Sequence, residues 1–422
     1  MQHNTTLKHV SQVAIVGAGP AGLMAAEVIS QAGLQVHVYD AKPSAGRKFL
    51  LAGVGGMNIT HAEPFDTFIQ RYYEQSNWLK PIINAFNAQA LTQWIHDLGI
   101  ETFIGSSGRI FPKEMKAAPL LRRWLQRLRT SGVTFHMKHR LVAIDQENHN
   151  TRLAFNHLDQ IKHVNAEAVI LAMGGASWPK LGSDGAWQHL LKQNGIKTNP
   201  LLSANCGFHA SWSQHLKTNF AGQALKNVAF SFTTLAGQFT QQTGECIISH
   251  YGIEGSLVYA FSKHLRDSIQ TNGSANLTID LLPQYTTLQI QQKLSKPRGK
   301  NSLAKHLKRT VGITGVKSAM LYECHNNFNS QPISTMAHSL KNTVVKLTKT
   351  RPLNEAISTA GGICKSNLNN QLMLTQMPGV FCAGEMLDWE APTGGYLLTA
   401  CFATGQLAGM AAVEYLNNNI KQ

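Results

Sequence analysis

The sequence predicts an α/β fold in which both ends of the chain form one domain and a second domain is inserted between them. Residues 12–40 read as strand, glycine turn, helix and strand, which is a βαβ unit. Residues 379–384 again read as a strand that runs into a glycine turn. Between residues 200 and 350 the pattern changes to Thr-, Ser- and Phe-rich strand candidates and a basic helical segment. The 422 residues, 43% of them hydrophobic, suffice for two or three domains.

The first βαβ unit carries the glycine spacing of a Rossmann-type dinucleotide site. Gly17 permits the tight turn, Gly19 lets backbone amides approach a pyrophosphate, and Gly22 lets the helix pack close to the strand. The helix N-terminus offers unpaired N–H groups to that anion. Asp40 ends the second strand at the distance expected for a carboxylate that binds a ribose. The pattern therefore predicts a dinucleotide cofactor bound by Gly17, Gly19, Pro20, Ala21, Gly22, Asp40 and Ala41.

The C-terminal segment, residues 379–405, indicates that this cofactor is a flavin. It places acidic residues after a strand and a diglycine at a helix start. In a flavoenzyme Asp388 would bind the ribityl chain, and amides around Gly395 would face the flavin pyrimidine edge and stabilise negative charge there. A buried strand over residues 166–172 also ends at glycines, where a sheet edge would meet the cofactor. We expect FAD contacts from Gly174, Gly175, Gly384, Glu385, Asp388, Gly394, Gly395 and Tyr396.

A further glycine-rich segment, residues 45–61, follows the first βαβ unit. Its two adjacent cations lie beside the acidic end of the second strand, which suits the adenylate side of FAD. The glycine loop that follows can lie against the flavin. We therefore add Arg47, Lys48, Gly53, Asn58 and Thr60 to the predicted cofactor site.

The charge of the chain is concentrated in the predicted insertion. The formal net charge is +15, and residues 201–350 supply ten of those excess charges. Residues 293–309 carry only basic charges. Such a run attracts polyanions, nucleic acid above all, through phosphate contacts and counterion release. The alternative interpretation is a basic face that is simply solvated.

Several classes of protein are disfavoured by the sequence. The six cysteines are scattered without a Cys-x-x-Cys pair or nearby histidines at metal spacing, so we predict no disulfide framework and no metal site. The apolar stretch over residues 13–29 is broken by glycines and Pro20 and contains Glu27, which argues against a membrane helix. With no targeting segment evident, we expect a cytoplasmic protein without a membrane partner.

Motifs along nearly the whole chain resemble one family, the BaiN/RdsA (YhiN-like, aminoacetone oxidase-like) family of NAD(P)/FAD-dependent oxidoreductases. They are the fingerprint at 17–22, Gly-Arg-Lys at 46–48, Gly-Arg-Ile-Phe-Pro at 108–112, Gly-Gly-Ala-Ser at 174–177, Ser-His-Tyr-Gly-Ile-Glu-Gly at 249–255, Gly-Glu-Met-Leu-Asp at 384–388 and Gly-Gly-Tyr at 394–396. One departure is Met57, because the family's glycine loop commonly reads Gly-Gly-Arg-Cys-Asn. Chemistry that needs that cysteine as an acid is not expected to carry over.

The resemblance implies an α/β architecture with a Rossmann-type, glutathione reductase-like FAD-binding domain formed by residues 1–199 and 351–422. It also implies an inserted domain over residues 200–350. In that insertion a β-barrel part covers about 200–282 and 323–350, and a basic helical part covers about 283–322.

The implied activity is an FAD-dependent oxidoreductase that moves a hydride between flavin and an organic substrate. The substrate would be a C=C bond in a small molecule or in a base of ribosomal RNA, giving dihydrouridine. Because one dinucleotide fingerprint is visible, NAD(P)H would visit only transiently as hydride donor. We predict His250 as proton donor or acceptor and Arg109 as binder of an anion or carbonyl. Two alternatives stay open, a flavin amine oxidase that uses O2 and a flavin- or nucleotide-binding regulatory protein without turnover.

Overall fold

The computed structural model describes residues 10–51, 55–147 and 150–419. These residues form two compact units. Unit 1 combines the residues up to Leu202 with those from Ile357 onward. Unit 2 is the continuous segment Ser203–Ala356. Each unit has its own hydrophobic core.

Strands occur in both units. In chain order they are β1 (Val10–Val16), β2 (Val36–Asp40), β3 (Thr60–His61), β4 (Thr102–Ile104), β5 (Arg109–Pro112), β6 (Thr134–Met137), β7 (Arg140–Glu147), β8 (Asn150–His157), β9 (Gln160–Leu171), β10 (Thr198–Ala204), β11 (Phe208–Ala210), β12 (Ala224–Thr233), β13 (Phe239–Ile248), β14 (Gly252–Glu254), β15 (Ala275–Asp280), β16 (Thr343–Thr350), β17 (Ser358–Ile363) and β18 (Val380–Cys382).

The α-helices are distributed in the same way. They are α1 (Pro20–Gln31), α2 (Arg47–Leu51), α3 (Phe65–Gln70), α4 (Ser76–Ala85), α5 (Ala88–Asp97), α6 (Ala117–Thr130), α7 (Trp187–Gln193), α8 (Gln214–Phe220), α9 (Ser256–Ala260), α10 (Ser262–Asn272), α11 (Thr287–Leu294), α12 (Leu303–Val311), α13 (Gly315–Cys324), α14 (Ile333–Lys341) and α15 (Tyr396–Asn419).

Unit 1 is built on a mixed sheet with the spatial order β6-β2-β1-β9-β8-β7, and β18 pairs with β9. The strands β6, β2, β1, β9 and β18 run parallel to their neighbours in this set. Their apolar runs are buried, and Val13, Ala14 and Ile15 have no exposed surface. Sheets of this kind are covered by helices on both faces and bind ligands at the carboxyl ends of the strands. The predicted Rossmann-type fold is confirmed.

The antiparallel hairpin of β8 and β9 was not predicted. Strands β8 and β9 are joined at Leu158 and Asp159, which both have positive φ angles, 50° and 63°. Two-residue turns of this geometry usually have the sequence Asn-Gly or Asp-Gly. Here Asn156 stabilises the turn instead, since its Oδ1 accepts a bond from the Asp159 N–H at 3.0 Å. The hairpin therefore lacks the usual sequence signal.

Unit 2 contains a closed six-stranded barrel with the order β11-β14-β13-β12-β15-β16. Its interior is filled by apolar side chains such as Phe208, Phe230, Leu277 and Leu347, all without exposed surface. Helices α11, α12 and α13 lie between β15 and β16 in the sequence. The barrel confirms the fold class expected for the insertion.

Helix α15 packs closely on α1 through small residues. A Cβ atom on Gly405 would lie 2.2 Å from the Ala21 carbonyl oxygen, and one on Gly409 would lie 3.0 Å from the Ala25 oxygen. Among the described residues, α15 is the one helix with the length and apolar composition that membrane crossing requires, and 61% of its most apolar window is buried. The buried core helix of a folded protein passes the same test.

Three helices of unit 1 meet at one buried carboxylate, Glu27 of α1, which is 4% exposed. It accepts bonds from the indole N–H groups of Trp94 on α5 at 3.1 Å and Trp124 on α6 at 2.6 Å. Arg127 of α6 pairs with it at 2.6 Å. Burial raises the pKa of Glu27, while Arg127 and the two indoles oppose that rise. The network fixes α5 and α6 against α1.

We expect Glu27→Ala to lower the free energy of unfolding by about 3 kcal/mol, because it leaves a cation and two indole N–H groups without their acceptor. Glu27→Gln should cost less. Since burial raises the pKa of Glu27, the folded protein binds a proton on this carboxyl group more tightly than the unfolded chain does. The contribution of Glu27 to the free energy of unfolding therefore falls as the pH rises past 4.5.

Denaturant unfolding at several pH values tests both statements. Glu27→Gln lacks this titration, so its stability relative to wild type should rise with pH. Glu101→Gln is the matched control, because its pair with Lys113 is 2.7 Å long but exposed to solvent, and exposed ion pairs contribute little to stability. Equal effects of Glu27→Ala and Glu101→Gln would contradict the role of this network.

Candidate cofactor site

The glycines of the first βαβ unit have different structural tasks. Gly17 has a φ of 110°, and a Cβ there would lie 2.2 Å from the Ala172 carbonyl oxygen. A Cβ on Gly22 would lie 1.9 Å from the Gly17 oxygen. These two positions are glycine because backbone atoms pack against them. A Cβ on Gly19, in contrast, would meet no atom within 4 Å. Gly19 therefore leaves open space beside the helix that it precedes.

That space belongs to a cavity of about 370 Å³ in unit 1, at the carboxyl ends of β1, β2 and β9. Gly19 is the N-cap of α1 and has no side-chain cap, so the amides of the first turn lack an internal acceptor. The helix dipole adds positive potential at this point. The predicted cofactor residues that line the cavity are Gly17, Gly19, Pro20, Ala21, Asp40, Ala41, Arg47, Lys48, Gly174, Gly384 and Glu385.

Asp40 holds the glycine turn in place. Its Oδ2 accepts a bond from the Ala18 N–H at 2.8 Å, and its Oδ1 accepts one from the Lys42 N–H at 2.7 Å. Burial raises the pKa of Asp40, and these two bonds oppose the rise. A carboxylate offers about four lone-pair sites, so two remain for the hydroxyls of a ribose.

A polar cluster joins four separate segments of the chain, and two of its members, Lys48 and Glu385, line the cavity. The Lys48 ammonium donates to Ser177 Oγ at 2.6 Å and to Glu385 Oε2 at 2.7 Å. Glu385 also accepts bonds from the N–H groups of Thr359 at 3.0 Å and Gly175 at 3.3 Å. Its charge is thus neutralised within the protein. Nearby, burial raises the pKa of the Cys401 thiol to about 12, which keeps that cavity-lining group uncharged.

Two buried polar atoms of the cavity lining have no hydrogen-bond partner in the part of the chain that the structure describes. They are the hydroxyl oxygen of Ser183 and the Nε of Arg47. Ser183 is only 4% exposed. Both can donate hydrogen bonds. Together with the amides of α1 they suit an anionic ligand that is rich in oxygen atoms. The diphosphate and sugar chain of FAD have this chemistry, so the residues present fit the cofactor.

A second group of predicted residues lies at the start of α15, outside the cavity lining. Gly395 has a φ of 92°, and a Cβ there would lie 2.4 Å from the Thr60 Cα. Thr399 Oγ1 donates to Thr60 Oγ1 at 2.9 Å. Gly394 also has a positive φ, 140°, and the buried Asn58 side-chain oxygen has no hydrogen-bond partner among the described residues. This group brings β3 and α15 into direct contact.

Tyr396 is fixed at the same place. Its hydroxyl donates to Glu63 at 2.7 Å, and the Tyr72 hydroxyl donates to the Tyr396 carbonyl at 2.7 Å. Burial works to raise the pKa of Glu63, but bonds from Arg71 and Tyr396 lower it overall. Burial and Glu63 raise the pKa of Tyr396, so its hydroxyl stays protonated.

Three further residues predicted to bind the cofactor are Asp388, Gly175 and Gly53, and the structure does not place Asp388 or Gly175 in the cavity lining. Asp388 accepts a bond from the Asn199 amide at 2.7 Å and lies outside the cavity lining, where Glu385 is the acidic residue. A Cβ on Gly175 would lie 2.3 Å from Thr359 Oγ1. Gly53 lies outside the described residues.

The two predicted catalytic residues belong to different units. Arg109 is on β5 of unit 1, and His250 lies in unit 2 between β13 and β14. The side chain of His250 is exposed. Their catalytic roles stay predictions.

The sequence analysis missed several residues of the cavity lining, among them Ser44, His139, Arg140, Ser183, Asp184 and Cys401. A signal existed for two of them. His139 and Arg140 follow β6, which pairs in parallel with β2, so they lie at the same sheet edge as Asp40. Among the residues that the structure describes, no three His, Cys, Asp or Glu side chains gather as metal ligands would.

Comparisons with known proteins agree with this geometry. Residues 11–411 match the family described as HI0933-like protein Rossmann domain. The 3-dehydro-bile acid delta(4,6)-reductase of Clostridium scindens is 26% identical over 419 residues, which cover 96% of this chain and 100% of the reductase. The ribosomal RNA dihydrouridine synthase of Escherichia coli is 24% identical over 393 residues, which cover 90% of this chain and 93% of the synthase.

Among solved structures, the open conformation of a flavocytochrome c3 fumarate reductase has a similar fold. The TM-score is 0.55 at 15% identity, over 98% of this chain and 79% of that one. The family match covers nearly the whole chain and confirms the resemblance that the motifs predicted. The chain therefore belongs to the HI0933-like Rossmann family and is an FAD-dependent oxidoreductase.

Proposed function

We propose that this protein is an NAD(P)H-driven reductase that saturates a C=C bond of an organic substrate. The observation that carries the proposal is a flavin-type cavity in a chain with two full-length relatives that reduce such bonds. One relative is named as a reductase of a bile acid, and the other is named for forming dihydrouridine, which is uridine whose base has its ring double bond saturated. The substrates differ widely in size, but the bond order that changes is the same.

When bound, FAD supplies the hydride chemistry, and the protein supplies binding, orientation and electrostatics. The amides of α1 and the Arg47 side chain provide hydrogen-bond donors for the diphosphate. The Lys48–Glu385 pair keeps a cation and its counter-charge fixed at the cavity wall. We infer that these groups hold the cofactor while substrates exchange.

For the substrate we propose Arg109 as the group that binds a carbonyl or anion and His250 as the proton donor. Arg109 is partly exposed and lies opposite His61 in the β3–β5 pairing. His61 itself is poorly suited to proton transfer, because one ring nitrogen contacts the Ser107 carbonyl at 2.9 Å and the other accepts the Glu63 N–H at 3.1 Å. His250 carries an exposed imidazole, which is the side-chain group that most often transfers protons in enzymes.

A ribosomal RNA base is a second substrate candidate, favoured by the surface of unit 2. Residues 281–322 contain eight basic residues and no acidic one. The flanking carboxylates are engaged elsewhere, Asp280 with Lys341 at 2.5 Å and Glu323 with the Ser213 hydroxyl at 2.6 Å. The exposed cations of this stretch are Lys296, Arg298, Lys300, Lys305, Lys308 and Arg309. We call these six residues the basic surface.

An anaerobic titration of the FAD-loaded protein with NADPH and with NADH tests the reductase proposal. We expect one of the two nucleotides to bleach the absorbance of oxidised flavin and an added C=C substrate to restore it. Dithionite is the control, because it shows that the bound flavin is reducible. A flavin that dithionite bleaches but neither nucleotide does would contradict the proposal and favour an amine oxidase or a protein without turnover.

Binding of ribosomal RNA at increasing salt tests the second candidate. If the basic surface contacts phosphates, affinity should fall steeply with salt, and Lys305→Ala, Lys308→Ala and Arg309→Ala together should reduce the log–log slope by about one per removed contact.

The charge-matched control replaces exposed Lys192, Lys346 and Lys349 by Ala. The control should retain the wild-type slope. A flat salt response, or equal losses in both triple variants, would remove this surface as the RNA site.

A further inference from the structure

A loop of residues 179–186 lies across the cofactor cavity of unit 1, and we call it the cover loop. At one side, a Cβ on Gly182 would lie 3.1 Å from the Lys42 side chain, just beyond β2. At the other side, a Cβ on Gly174 would lie 3.3 Å from Ser183 Oγ, beyond the end of β9. The Gly185 N–H donates to the Gly175 carbonyl at 3.1 Å. The cover loop thus spans the gap between the two strand ends that frame the cavity.

One ion pair connects the cover loop to the opposite wall. Arg140, the first residue of β7, pairs with Asp184 at 2.8 Å, and both residues line the cavity. Their side chains are 44% and 26% exposed, so the pair lies at the solvent-accessible edge. Asp184 is oriented by its other oxygen, which accepts the Ala186 N–H at 3.1 Å. The pair therefore has a fixed geometry but remains sensitive to salt.

The cover loop also carries a buried donor that has no partner among the residues that the structure describes. Ser183 is 4% exposed, lines the cavity, and its hydroxyl forms no hydrogen bond with a described residue. Leaving a buried hydroxyl unpaired is destabilising, so such groups in folded proteins usually meet a ligand or an ordered water. A hydroxyl in this position can pair with an oxygen of FAD.

We propose that the cover loop is a clasp for the cofactor. Ser183 binds FAD directly, and the Arg140–Asp184 ion pair holds the loop closed and so controls how fast FAD leaves and enters. This inference uses the FAD site alone and does not depend on the substrate that we propose. Its failure would therefore leave the reductase proposal intact.

The first test replaces Ser183 by Ala. In the FAD-free protein the variant removes an unpaired buried hydroxyl, so the thermal midpoint should rise. In the FAD-bound protein it removes a hydrogen bond to the cofactor, so the increase in thermal midpoint caused by saturating FAD should be smaller than in wild type. FAD affinity should fall about threefold to tenfold, as expected for one hydrogen bond.

Ser76→Ala is the matched control, because Ser76 is also buried in unit 1 but donates to the Tyr73 carbonyl at 2.6 Å. It should lower both midpoints equally. If Ser183→Ala also lowers both midpoints equally, or leaves FAD affinity unchanged, Ser183 is structural and the direct contact is refuted.

The second test measures the rate of FAD release from the loaded protein by the recovery of flavin fluorescence. Arg140→Gln and Asp184→Asn should each speed release about threefold to tenfold, and the double variant should release no faster than either single one. Asp184→Asn keeps the oxygen that accepts the Ala186 N–H and removes only the charge. Wild-type release should quicken with salt, whereas the double variant should respond weakly.

Lys113→Gln is the control for this second test, since it breaks an exposed ion pair of unit 1 whose residues do not line the cavity. Its release rate should equal that of wild type. Additive effects of the two cavity variants, or release rates within twofold of wild type for both, would overturn the clasp.

Discussion

The close crossing of α1 and α15 is the contact on which the cofactor site depends. These helices come from opposite ends of the chain, and they approach closely because Gly405 has no Cβ atom. A Cβ at that position would lie only 2.2 Å from the Ala21 carbonyl oxygen. The same crossing places Gly384 against Ala21, where a Cβ would lie 2.8 Å from the Ala21 side chain. The C-terminal strand turn is thereby brought to the N-terminus of α1. A bulkier residue at the crossing would separate the two walls of the cavity.

In the cavity the acidic groups form bonds within the protein, whereas hydrogen-bond donors are left for a ligand. Asp40 binds the amides of Ala18 and Lys42, and Glu385 neutralises Lys48. Among the described residues of the cavity lining, the unpaired groups are hydrogen-bond donors, namely the amides in the first turn of α1, the Arg47 Nε and the Ser183 hydroxyl. A site with this balance favours an anionic, oxygen-rich cofactor over a cationic one.

The fold class and the cofactor residues of the first βαβ unit could be predicted from the sequence because they depend on local sequence patterns. Gly17, Gly19 and Asp40 lie in one βαβ unit, where glycine spacing has a direct steric meaning. The Lys48–Glu385 contact joins residues 337 positions apart, so both members were named as cofactor residues without their pairing. The β8–β9 hairpin was missed because its turn uses Leu158 where glycine or asparagine is usual.

Other parts of the site were beyond reach because they depend on packing between distant segments. The unpartnered hydroxyl of Ser183 is meaningful only once burial is known, since exposed serines are common and uninformative. Glu385, and not Asp388, lines the cavity, although both are acidic and follow the same strand. Only the path of the chain after β18 distinguishes them.

Gly19→Val is the variant that tests the central claim most directly, namely that FAD occupies this cavity against the first turn of α1. Gly19 has extended backbone, with φ of −87°, and a Cβ there meets no protein atom within 4 Å. The substitution should therefore leave the fold intact while it fills the space required by the diphosphate. The measurement is FAD content and affinity by absorbance, with the thermal midpoint of the FAD-free protein beside it. We predict a folded protein that no longer binds FAD; a folded variant that binds FAD as wild type does would contradict the account.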